Sequence, residues 1–460
     1  MAAKFGTSGL RGLVVELTDE VVADHVAAFL RAVGPAPGLL IGRDLRASSP
    51  ALASVVAAAA RGAGVRPLDL GVLPTPALAL AAGAAGWPAV MVTGSHIPAD
   101  RNGLKFYSAL GEITKAEEVA ITEGARSVRA ARPDGPFPDD GGAARRAYLD
   151  RYAGFFGPGA LSGLRIGVYQ QSTVARDLLV DLLTALGAEP VPLARSEVFI
   201  PVDTEAVSAE MRGQLGGWAA LGFDAILSAD GDADRPMVAD ERGALVPGDL
   251  LGLLTARALA AHAVVTPVSS TTAIEASGAF PTVVRTKIGS PHVIAGMATA
   301  GPRAVGFEAN GGFLLGFEAR HGGRRLAALL TRDAFLPMLM PLVEARAAGR
   351  PLSALLAGLP RRATASDRIE GVPTERSQAL VATLSADANA RAAFFAPFGA
   401  EAALDLTDGL RVTFADGLIL HLRPSGNAPE LRCYAEAGTE AEARAALTAC
   451  LARARDHLAG

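Results

Sequence analysis

Short apolar runs alternate with helix-length segments along most of the chain. Residues 39–42 and 89–93 are apolar runs of strand length, and residues 51–60 between them predict a helix that ends near Gly62. The same order returns in three later segments, at 163–187, 223–235 and 263–278. This alternation is typical of α/β layers built on a largely parallel sheet. The pattern therefore predicts three similar α/β units.

The last hundred residues follow a different pattern. Apolar and polar residues alternate around Asp416-Gly417, which predicts a β-hairpin, and the chain ends in an Ala- and Leu-rich helix. Segments 132–142 and 359–373 lack the apolar residues needed for packing and are predicted to be linkers. The predicted fold class is α/β, with three related mixed α/β domains and a smaller α+β C-terminal domain. The predicted domain limits are 1–140, 141–245, 246–360 and 361–460.

Composition and charge exclude several classes of function. The 460 residues carry 43 basic and 47 acidic side chains, a net charge of −4, and contain no basic tract for a nucleic acid. Residues 70–95 carry no charge and are long enough to cross a bilayer, but their prolines and glycines favour strand, turn and helix instead. The N-terminus has no secretory signal, and two cysteines are too few to staple the chain. A cytoplasmic protein without a membrane partner is predicted.

Three carboxylates at alternate positions follow an apolar run in the segment DGDADR. Asp230, Asp232 and Asp234 are separated by small residues, so that a tight turn can direct all three toward one centre. Oxygen ligands at this density suit Mg²⁺ or Ca²⁺ better than Zn²⁺, and the spacing excludes an EF-hand. The alternative is a solvated acidic turn. A metal site is favoured because ligands of α/β sheets bind at the carboxyl ends of strands.

A second polar segment, TGSHIP, also follows a predicted strand. Ser95 lies in a glycine-containing turn beside His96, and Lys105 follows ten residues later. Such a hydroxyl can act as a nucleophile or phosphate carrier. The alternative is a polar turn in which the serine only bonds to the backbone. The G-x-S-x-G motif of serine hydrolases is absent.

Three further segments carry groups that can bind anions or sugars. The C-terminal segment combines guanidinium, hydroxyl and amide groups suited to phosphate, at Arg423, Ser425, Gly426, Asn427 and Arg432. Arg11 lies among N-terminal glycines that can cradle an oxyanion. Glu308 and Asn310, between two apolar runs, offer the acceptors and donors that sugar hydroxyls require. The alternatives are a surface loop, a flexible N-terminal arm and a hairpin turn.

Taken together, nine segments in this order resemble the α-D-phosphohexomutase family, and its phosphomannomutase-like branch in particular. They are FGTSGLRG, GRDLRASSP, LPTP, TGSHIP, NGLK, DGDADR, GFEANGG, DGLRV and RPSGNAP. The resemblance implies four domains around a central cleft and the interconversion of hexose 1-phosphate and hexose 6-phosphate. It further implies a phosphoserine, one Mg²⁺ per chain and a hexose 1,6-bisphosphate intermediate and activator.

The resemblance also implies roles for individual residues. Ser95 is expected to be phosphorylated and to share the Mg²⁺ with the three aspartates, while Arg235, Arg11, Lys105 and His96 support the transfer. Glu308 and Asn310 are expected to bind sugar hydroxyls, and the C-terminal segment to bind the phosphate that is not transferred. The segment TKIGSPH resembles a sugar-orienting loop, in which Lys287, Ser290 and His292 remain alternatives for the contact. Gly94, Ile97, Asn310, Gly312 and Asn427-Ala428 depart from the commonest family pattern.

Rival functions remain open at the level of sequence. A Mg²⁺-dependent sugar phosphatase with Asp230 as its nucleophile leaves Ser95 and Lys105 without a role. A non-catalytic sugar-phosphate-binding protein has no need to retain the reactive side chains. Among mutases, the hexose is the least determined feature: mannose is favoured, glucose is a second substrate, and phosphoglucosamine mutase is the alternative. The protein is expected to be a monomer or a homodimer.

Overall fold

The computed structural model describes residues 3–6, 9–125, 141–425 and 429–459. Mixed α/β sheets form three successive units, and a fourth unit consists of an antiparallel sheet with helices. The predicted fold class is confirmed. The domain limits at 140, 245 and 360 stay a prediction. The predicted linker at 132–142 lies outside the described residues except for its last two, which begin a helix.

The first unit is a seven-stranded mixed sheet with helices on both faces. Its strands are β1 (Lys4–Phe5), β2 (Leu10–Leu13), β3 (Gly38–Arg43), β4 (Arg66–Val72), β5 (Ala89–Val92), β6 (Arg101–Ser108) and β7 (Gly111–Glu112). Its helices are α1 (Asp19–Val33), α2 (Ser49–Gly62), α3 (Thr75–Ala85) and α4 (Lys115–Gly124), with a 3-10 turn at Val14–Glu16. The strand order is β1-β2-β6-β5-β3-β4, with β7 paired to β6.

The uncharged stretch 70–95 is divided between β4, α3 and β5, as its prolines and glycines predict. Within the described parts of the chain, we find no helix with the length and apolar character needed to span a bilayer.

The second unit has a four-stranded sheet in the order β11-β10-β8-β9. Its strands are β8 (Arg165–Gln171), β9 (Glu189–Arg195), β10 (Ala225–Ala229) and β11 (Pro236–Asp240). Its helices are α5 (Gly141–Phe156), α6 (Arg176–Ala185) and α7 (Ala209–Ala219).

The third unit has a five-stranded sheet in the order β13-β12-β14-β15-β18 and a separate two-stranded ribbon. Its strands are β12 (Ala263–Pro267), β13 (Thr282–Thr286), β14 (Ala304–Phe307), β15 (Phe313–Leu315), β16 (Ala319–His321), β17 (Arg324–Leu326) and β18 (Leu329–Asp333). Its helices are α8 (Gly248–Ala258), α9 (Ala273–Ala276), α10 (Ser290–Thr299), α11 (Phe335–Ala347) and α12 (Leu352–Leu356).

The fourth unit is an antiparallel sheet in the order β19-β23-β22-β21-β20. Its strands are β19 (Ala363–Glu370), β20 (Glu401–Asp405), β21 (Leu410–Phe414), β22 (Ile419–Pro424) and β23 (Glu430–Ala437). Its helices are α13 (Thr374–Ala386), α14 (Ala388–Phe395) and α15 (Glu440–Ala459), with a 3-10 turn at Ala396–Phe398.

Strand β19 corrects one prediction, because it lies inside the segment 359–373 that was predicted to be a linker. All eight of its residues pair with β23. Alternate residues Ala365 and Ile369 pack on the core beneath the sheet, while the residues between them are polar. A mostly polar strand has few of the apolar residues by which sequence patterns identify strands.

The three mixed sheets share one feature that positions the candidate site. In each, the last parallel strand turns back into an antiparallel strand: β5 into β6, β10 into β11 and β14 into β15. The segments TGSHIP, DGDADR and GFEANGG occupy these three turns. Equivalent positions in three related units therefore supply the candidate chemistry.

The hydrophobic core is shared unevenly among the units. One continuous cluster of buried residues extends from Leu40 in the first unit to Leu352 in the third. The fourth unit has a cluster of its own, built from β21, β22, β23 and the helices α13 to α15, which includes Cys433 and Cys450 as free thiols. The first three units therefore form one packed body, on which the fourth unit is mounted.

Candidate active site

Ser95 lies at the centre of the first turn and is fully buried. Its backbone has φ = 53°, a left-handed conformation that non-glycine residues rarely adopt. The Ser95 hydroxyl donates a hydrogen bond of 2.5 Å to Asp230 Oδ2, and the Nδ1 atom of His96 lies 3.3 Å from it. A strained turn thus presents the serine oxygen directly to the aspartate loop of the second unit.

The Ser95 turn is held by an arginine from the GRDLRASSP segment. The Arg46 guanidinium, which is 2% exposed, donates four hydrogen bonds, to the carbonyls of Ser95, Ile97, Pro98 and Arg101. Because Ile97 takes part through its backbone carbonyl, the departure from the family pattern at this position leaves the bond in place. This arginine fixes the shape of the loop.

Gly94 shows why a small residue precedes the serine. A Cβ atom at this position would lie 2.5 Å from Arg46 Cζ, so any side chain would displace the guanidinium. On the other side, Asp44 accepts hydrogen bonds from the Thr93 hydroxyl at 2.8 Å and from the Gly94 N–H at 3.3 Å. Asp44 and Arg46 belong to the segment GRDLRASSP, but the family resemblance as read from the sequence gave neither residue a role.

The aspartate loop gathers three carboxylates in a buried site. Asp230, Asp232 and Asp234 are fully buried, and one oxygen of each lies within 4.8 Å of the others. The loop closes on itself, since the Asp230 N–H donates to the Arg235 carbonyl at 3.1 Å and Ala233 adopts φ = 56°. Burial and the other two carboxylates raise the pKa of Asp230 well above its usual value. A divalent cation bound here would relieve that repulsion.

Two observations support a metal site in this loop. The Oδ1 atoms of Asp232 and Asp234 are buried and have no hydrogen-bond partner among the described residues. A buried carboxylate oxygen without a partner is costly, and hard cations such as Mg²⁺ prefer such oxygen ligands. The donor set is entirely oxygen, so the residues present fit Mg²⁺.

Cations from three units surround the aspartates. Lys105 Nζ on β6 donates to Asp232 Oδ2 at 2.6 Å and to Asp234 Oδ2 at 2.5 Å. Arg332 on β18 donates to Asp234 Oδ2 through Nη2 at 2.7 Å. Although burial alone acts in the opposite direction, these cations and Arg235 hold the pKa of Asp234 below its usual range. The carboxylate is therefore ionised throughout the physiological range.

Arg332 is the main site residue that the sequence analysis missed. It is 2% exposed and also lies 3.4 Å from Glu308, so it joins the aspartate loop to the predicted sugar-binding turn. Thr75, from the LPTP segment, was also given no role, and its hydroxyl donates to Asp232 Oδ2 at 2.5 Å. The sequence did contain an indication of Arg332, because it is a charged residue in the mostly apolar segment around β18. A charge buried there needs a partner of opposite charge.

A cleft of about 1140 Å³ opens above this cluster. Residues of all four units line it, among them Arg11, His96, Arg235, Glu308, Asn310, Arg332, Arg368 and Arg432. Burial and the neighbouring Arg235 and Arg332 lower the pKa of Arg11 to about 10, so this group remains a cation. Burial and the same kind of positive neighbours hold the pKa of His96 well below its usual value, which leaves its imidazole neutral.

The third unit contributes two segments to the cleft region. Glu308 and Asn310 are buried at the cleft wall, and the Asn310 side chain also accepts the Gly312 N–H at 3.0 Å. Of the three alternatives in TKIGSPH, Ser290 bonds away from the cleft to Glu112 at 2.6 Å, Lys287 is exposed and His292 is half-buried. None of these three is among the residues that line the cleft.

The fourth unit places the two arginines that were predicted to bind phosphate on one face of its sheet. Arg423 lies directly opposite Arg432, and Arg432 lines the cleft. Asp408 pairs with Arg423 at 2.8 Å and accepts the Ile288 N–H at 2.9 Å, which connects the DGLRV segment to the third unit. The Ser425 N–H donates to the Glu430 carbonyl at 3.0 Å.

Gly426 and Asn427, which were predicted to bind phosphate, lie outside the described residues. The same holds for Thr7 and Ser8 of the FGTSGLRG segment.

Comparison with known sequences gives concordant results. Three domain models of one family match the chain: phosphoglucomutase/phosphomannomutase alpha/beta/alpha domain I at residues 2–132, alpha/beta/alpha domain III at 247–363 and the C-terminal domain at 372–451. A phosphomannomutase of Sinorhizobium fredii is 49% identical over 453 residues, which cover 95% of each chain. A phosphomannomutase of Salmonella muenchen is 44% identical and covers 95% of this chain and 93% of that one.

More distant relatives share the same extent. A phosphoglucosamine mutase of Frankia casuarinae is 31% identical and covers 97% of this chain and 96% of its own. Among solved structures, a phosphoglucomutase/phosphomannomutase family protein from Burkholderia thailandensis superposes with a TM-score of 0.76 at 24% identity, covering 100% of this chain and 98% of that one. This structural likeness extends over all four units.

Proposed function

This chain belongs to the phosphoglucomutase/phosphomannomutase family and is a phosphohexomutase, and we propose that it interconverts mannose 1-phosphate and mannose 6-phosphate through a phosphoserine at Ser95. Glucose phosphates are proposed as further substrates. A hexose 1,6-bisphosphate is the proposed intermediate and activator.

The observation that carries this proposal is the meeting of Ser95 with the aspartate loop. The serine hydroxyl bonds Asp230 at 2.5 Å, and Lys105 bonds the other two aspartates, although these residues are more than a hundred positions apart in the chain. A serine that only stabilised its own turn would not need a carboxylate from another unit. The arrangement instead supports a phosphoryl carrier next to a metal site.

Asp230, Asp232, Asp234 and Ser95 are the residues that would hold Mg²⁺. When bound, the cation supplies positive charge that offsets the charge of the phosphoryl group. Arg235 and Arg11 line the cleft on the same side and add fixed positive charge there. Phosphoryl transfer depends on alignment and charge neutralisation, which these residues provide.

In the proposed transfer, the phosphoserine gives its phosphoryl group to a hydroxyl oxygen of the bound hexose phosphate. The bond between phosphorus and Ser95 Oγ breaks, and a bond between phosphorus and the hexose oxygen forms. The proton of the hexose hydroxyl passes to the Lys105–aspartate network, and a proton returns to Ser95 Oγ, which shares it with Asp230. After the bisphosphate has turned over in the cleft, the reverse transfer from its other end restores the phosphoserine.

Two other groups of residues hold the substrate in this proposal. Glu308 and Asn310 bind sugar hydroxyls at the cleft wall, and Arg423, Ser425 and Arg432 bind the phosphate that is not being transferred. Gly426 and Asn427 are proposed to add donors to that phosphate site. Lys287 and His292 remain proposed sugar contacts. This role requires a movement of their loop that brings them to the cleft.

The choice of mannose is supported by the relatives, because the phosphomannomutases are 49% and 44% identical and the phosphoglucosamine mutase only 31%. A coupled assay that compares mannose 1-phosphate, glucose 1-phosphate and glucosamine 1-phosphate tests it. We expect the highest kcat/KM for mannose 1-phosphate and measurable turnover of glucose 1-phosphate. A higher kcat/KM for glucosamine 1-phosphate would contradict the proposal.

Intact mass and peptide mapping test the phosphoserine, which is expected at Ser95. The contacts of Ser95 and Lys105 with the aspartates argue against the phosphatase alternative, in which both residues have no role. Release of inorganic phosphate at the rate of isomerisation would support that alternative. A cytoplasmic location and a monomeric or dimeric state stay predictions.

A further inference from the structure

A third arginine lies in line with the two that were predicted to bind phosphate. In the fourth sheet, Arg423 on β22 is directly opposite Arg432 on β23, and Arg432 is directly opposite Arg368 on β19. Side chains in directly opposed positions project from the same face, with Cβ atoms about 5 Å apart. Three guanidinium groups thus form one row across three strands.

This row lies on the face of the sheet that points away from the core, and two of its members, Arg368 and Arg432, line the cleft. The neighbouring residues Leu422, Leu431 and Ile369 pack beneath the sheet, so the alternate positions point to the other side. Arg368 and Arg432 both line the cleft, whose opposite wall carries Arg11 and Arg235. The Arg368 side chain is 48% exposed and is therefore accessible to a ligand.

Each arginine in the row is anchored by a carboxylate through its inner nitrogen. Arg368 Nε donates to Glu370 at 2.9 Å, Arg432 Nε donates to Glu430 at 2.8 Å, and Arg423 Nε lies 2.8 Å from Asp408. Glu430 also lies 3.3 Å from Arg368 Nε, so one buried carboxylate orients two of the three guanidinium groups.

The anchoring leaves the outer nitrogen atoms of Arg368 available for a ligand, whereas Nη2 of Arg432 also lies 2.7 Å from Glu430. In the described part of the chain, neither Nη1 nor Nη2 of Arg368 donates a hydrogen bond. Like charges directly opposite one another destabilise a sheet. The three carboxylates neutralise the three guanidinium groups, so the row as a whole carries no excess negative charge that would repel an anion. A phosphate dianion offers the charge and the oxygen atoms that forked guanidinium groups bind best.

We infer that Arg368 is a third phosphate-binding arginine, which together with Arg423 and Arg432 grips the non-transferring phosphate of the hexose phosphate. This inference deepens the proposed function and rests on it for the identity of the substrate. Arg368 stands on the first strand after the chain leaves the third unit, so the bound phosphate is held partly by the strand that joins the two bodies. It belongs to none of the segments that carry the family resemblance.

The test compares Arg368→Ala and Arg368→Lys with a matched control, Arg455→Ala, which removes an exposed arginine from α15 on the far side of the same unit. Because a charge-assisted hydrogen bond is lost, Arg368→Ala should raise KM for mannose 1-phosphate about 10-fold, with a smaller change in kcat. Arg368→Lys keeps the charge but not the fork and should raise KM by an intermediate factor. Arg455→Ala should match the wild type, and all variants should share its thermal unfolding temperature.

Titration with inorganic phosphate, followed calorimetrically, separates this inference from the proposed function. Weaker phosphate binding by Arg368→Ala than by Arg455→Ala supports the role of Arg368, whether or not the wild type isomerises mannose phosphates. Equal phosphate binding and equal KM in these two variants would overturn it. An absence of mutase activity in the wild type would instead overturn the proposed function. If Arg368→Ala does not fold, Arg368→Lys answers the same question through the same two measurements.

Discussion

The two ends of the cleft are built in opposite ways. At the proposed transfer end, Ser95, Asp230 and Lys105 are almost completely buried in units that share a continuous core. Ser95 bonds Asp230 directly, and Lys105 bonds Asp232 and Asp234. At the proposed phosphate-binding end, Arg368 and Arg432 are substantially exposed and stand on a sheet with its own separate core. One end is enclosed and rigid, and the other is open and mounted on a distinct body.

Polar contacts join the two bodies. Glu436 on β23 accepts hydrogen bonds from the Thr271 hydroxyl at 3.0 Å and the Thr272 N–H at 2.8 Å, and Asp408 accepts one from the Ile288 N–H at 2.9 Å. Polar contacts of this kind reform more readily than packed side chains after a displacement. In the proposed reaction, the buried end would fix the alignment of the reacting atoms in advance. The fourth unit would adapt its contacts with the distal phosphate to either orientation of the proposed intermediate.

The largest expected effect comes from removing the phosphoryl carrier. Ser95→Ala should lower kcat by about 10⁵-fold, since the loss of a nucleophile leaves only binding and positioning. The coupled assay measures this, and intact mass should show no phosphate on the variant. The control is Ser54→Ala, which removes a hydroxyl that bonds the Pro50 carbonyl of its own helix and no other group among the described residues. Near-normal activity of Ser95→Ala would sink the assignment of the transfer end.

Metal removal should affect the transfer end alone. Treatment with EDTA should lower kcat by about 10³-fold, because a bound cation contributes several kcal/mol to charge stabilisation. Added Mg²⁺ should restore activity, and Asp232→Asn should raise the Mg²⁺ concentration needed. Binding of inorganic phosphate at the other end should be unaffected by EDTA. Rescue by Zn²⁺ and not by Mg²⁺ would contradict the proposed metal site.

The buried arginine at the transfer end should matter for stability as well as for charge. Arg332→Met removes the buried cation that pairs with both Asp234 and Glu308, and only Lys105 and Arg235 then remain near Asp234. This loss should lower the free energy of unfolding by about 3 kcal/mol. Urea denaturation measures this change. Arg320→Met, which removes an exposed ion pair with Glu318 on the surface ribbon, should change it by less than about 1 kcal/mol. Equal free energies of unfolding for the two variants would mean that Arg332 does not offset the buried negative charge of Asp234 and Glu308.

The smallest effect is expected at the open end. Arg423→Ala should raise KM about 10-fold and lower kcat by a smaller factor, because a poorly held phosphate misaligns the opposite end of the sugar. Steady-state kinetics with mannose 1-phosphate measures both constants. Formation of the phosphoserine from a hexose bisphosphate should suffer less. An unchanged KM would reassign this part of the fourth unit as surface and remove the contrast between the two ends.

The sequence by itself identified those functional groups that stand next to one another along the chain in a recognisable motif. The aspartate loop, the serine turn and the Glu308 turn each follow an apolar strand and carry a recognisable set of functional groups. Each segment lies at the carboxyl end of a strand in its own sheet, which is where α/β sheets bind ligands. Resemblance to the family ordered these segments around one cleft.

Only the tertiary structure decided which distant cations complete the site. Arg332 reaches an aspartate 98 positions away, and Arg46 holds a loop about 50 positions away, through contacts that depend on how units pack. Arg368 joins the row of arginines because β19 pairs with β23, whereas its own segment looks like a linker. The physical reason is that a guanidinium group has no local pattern of its own: its role is set by the carboxylates and carbonyls that folding brings within hydrogen-bond distance.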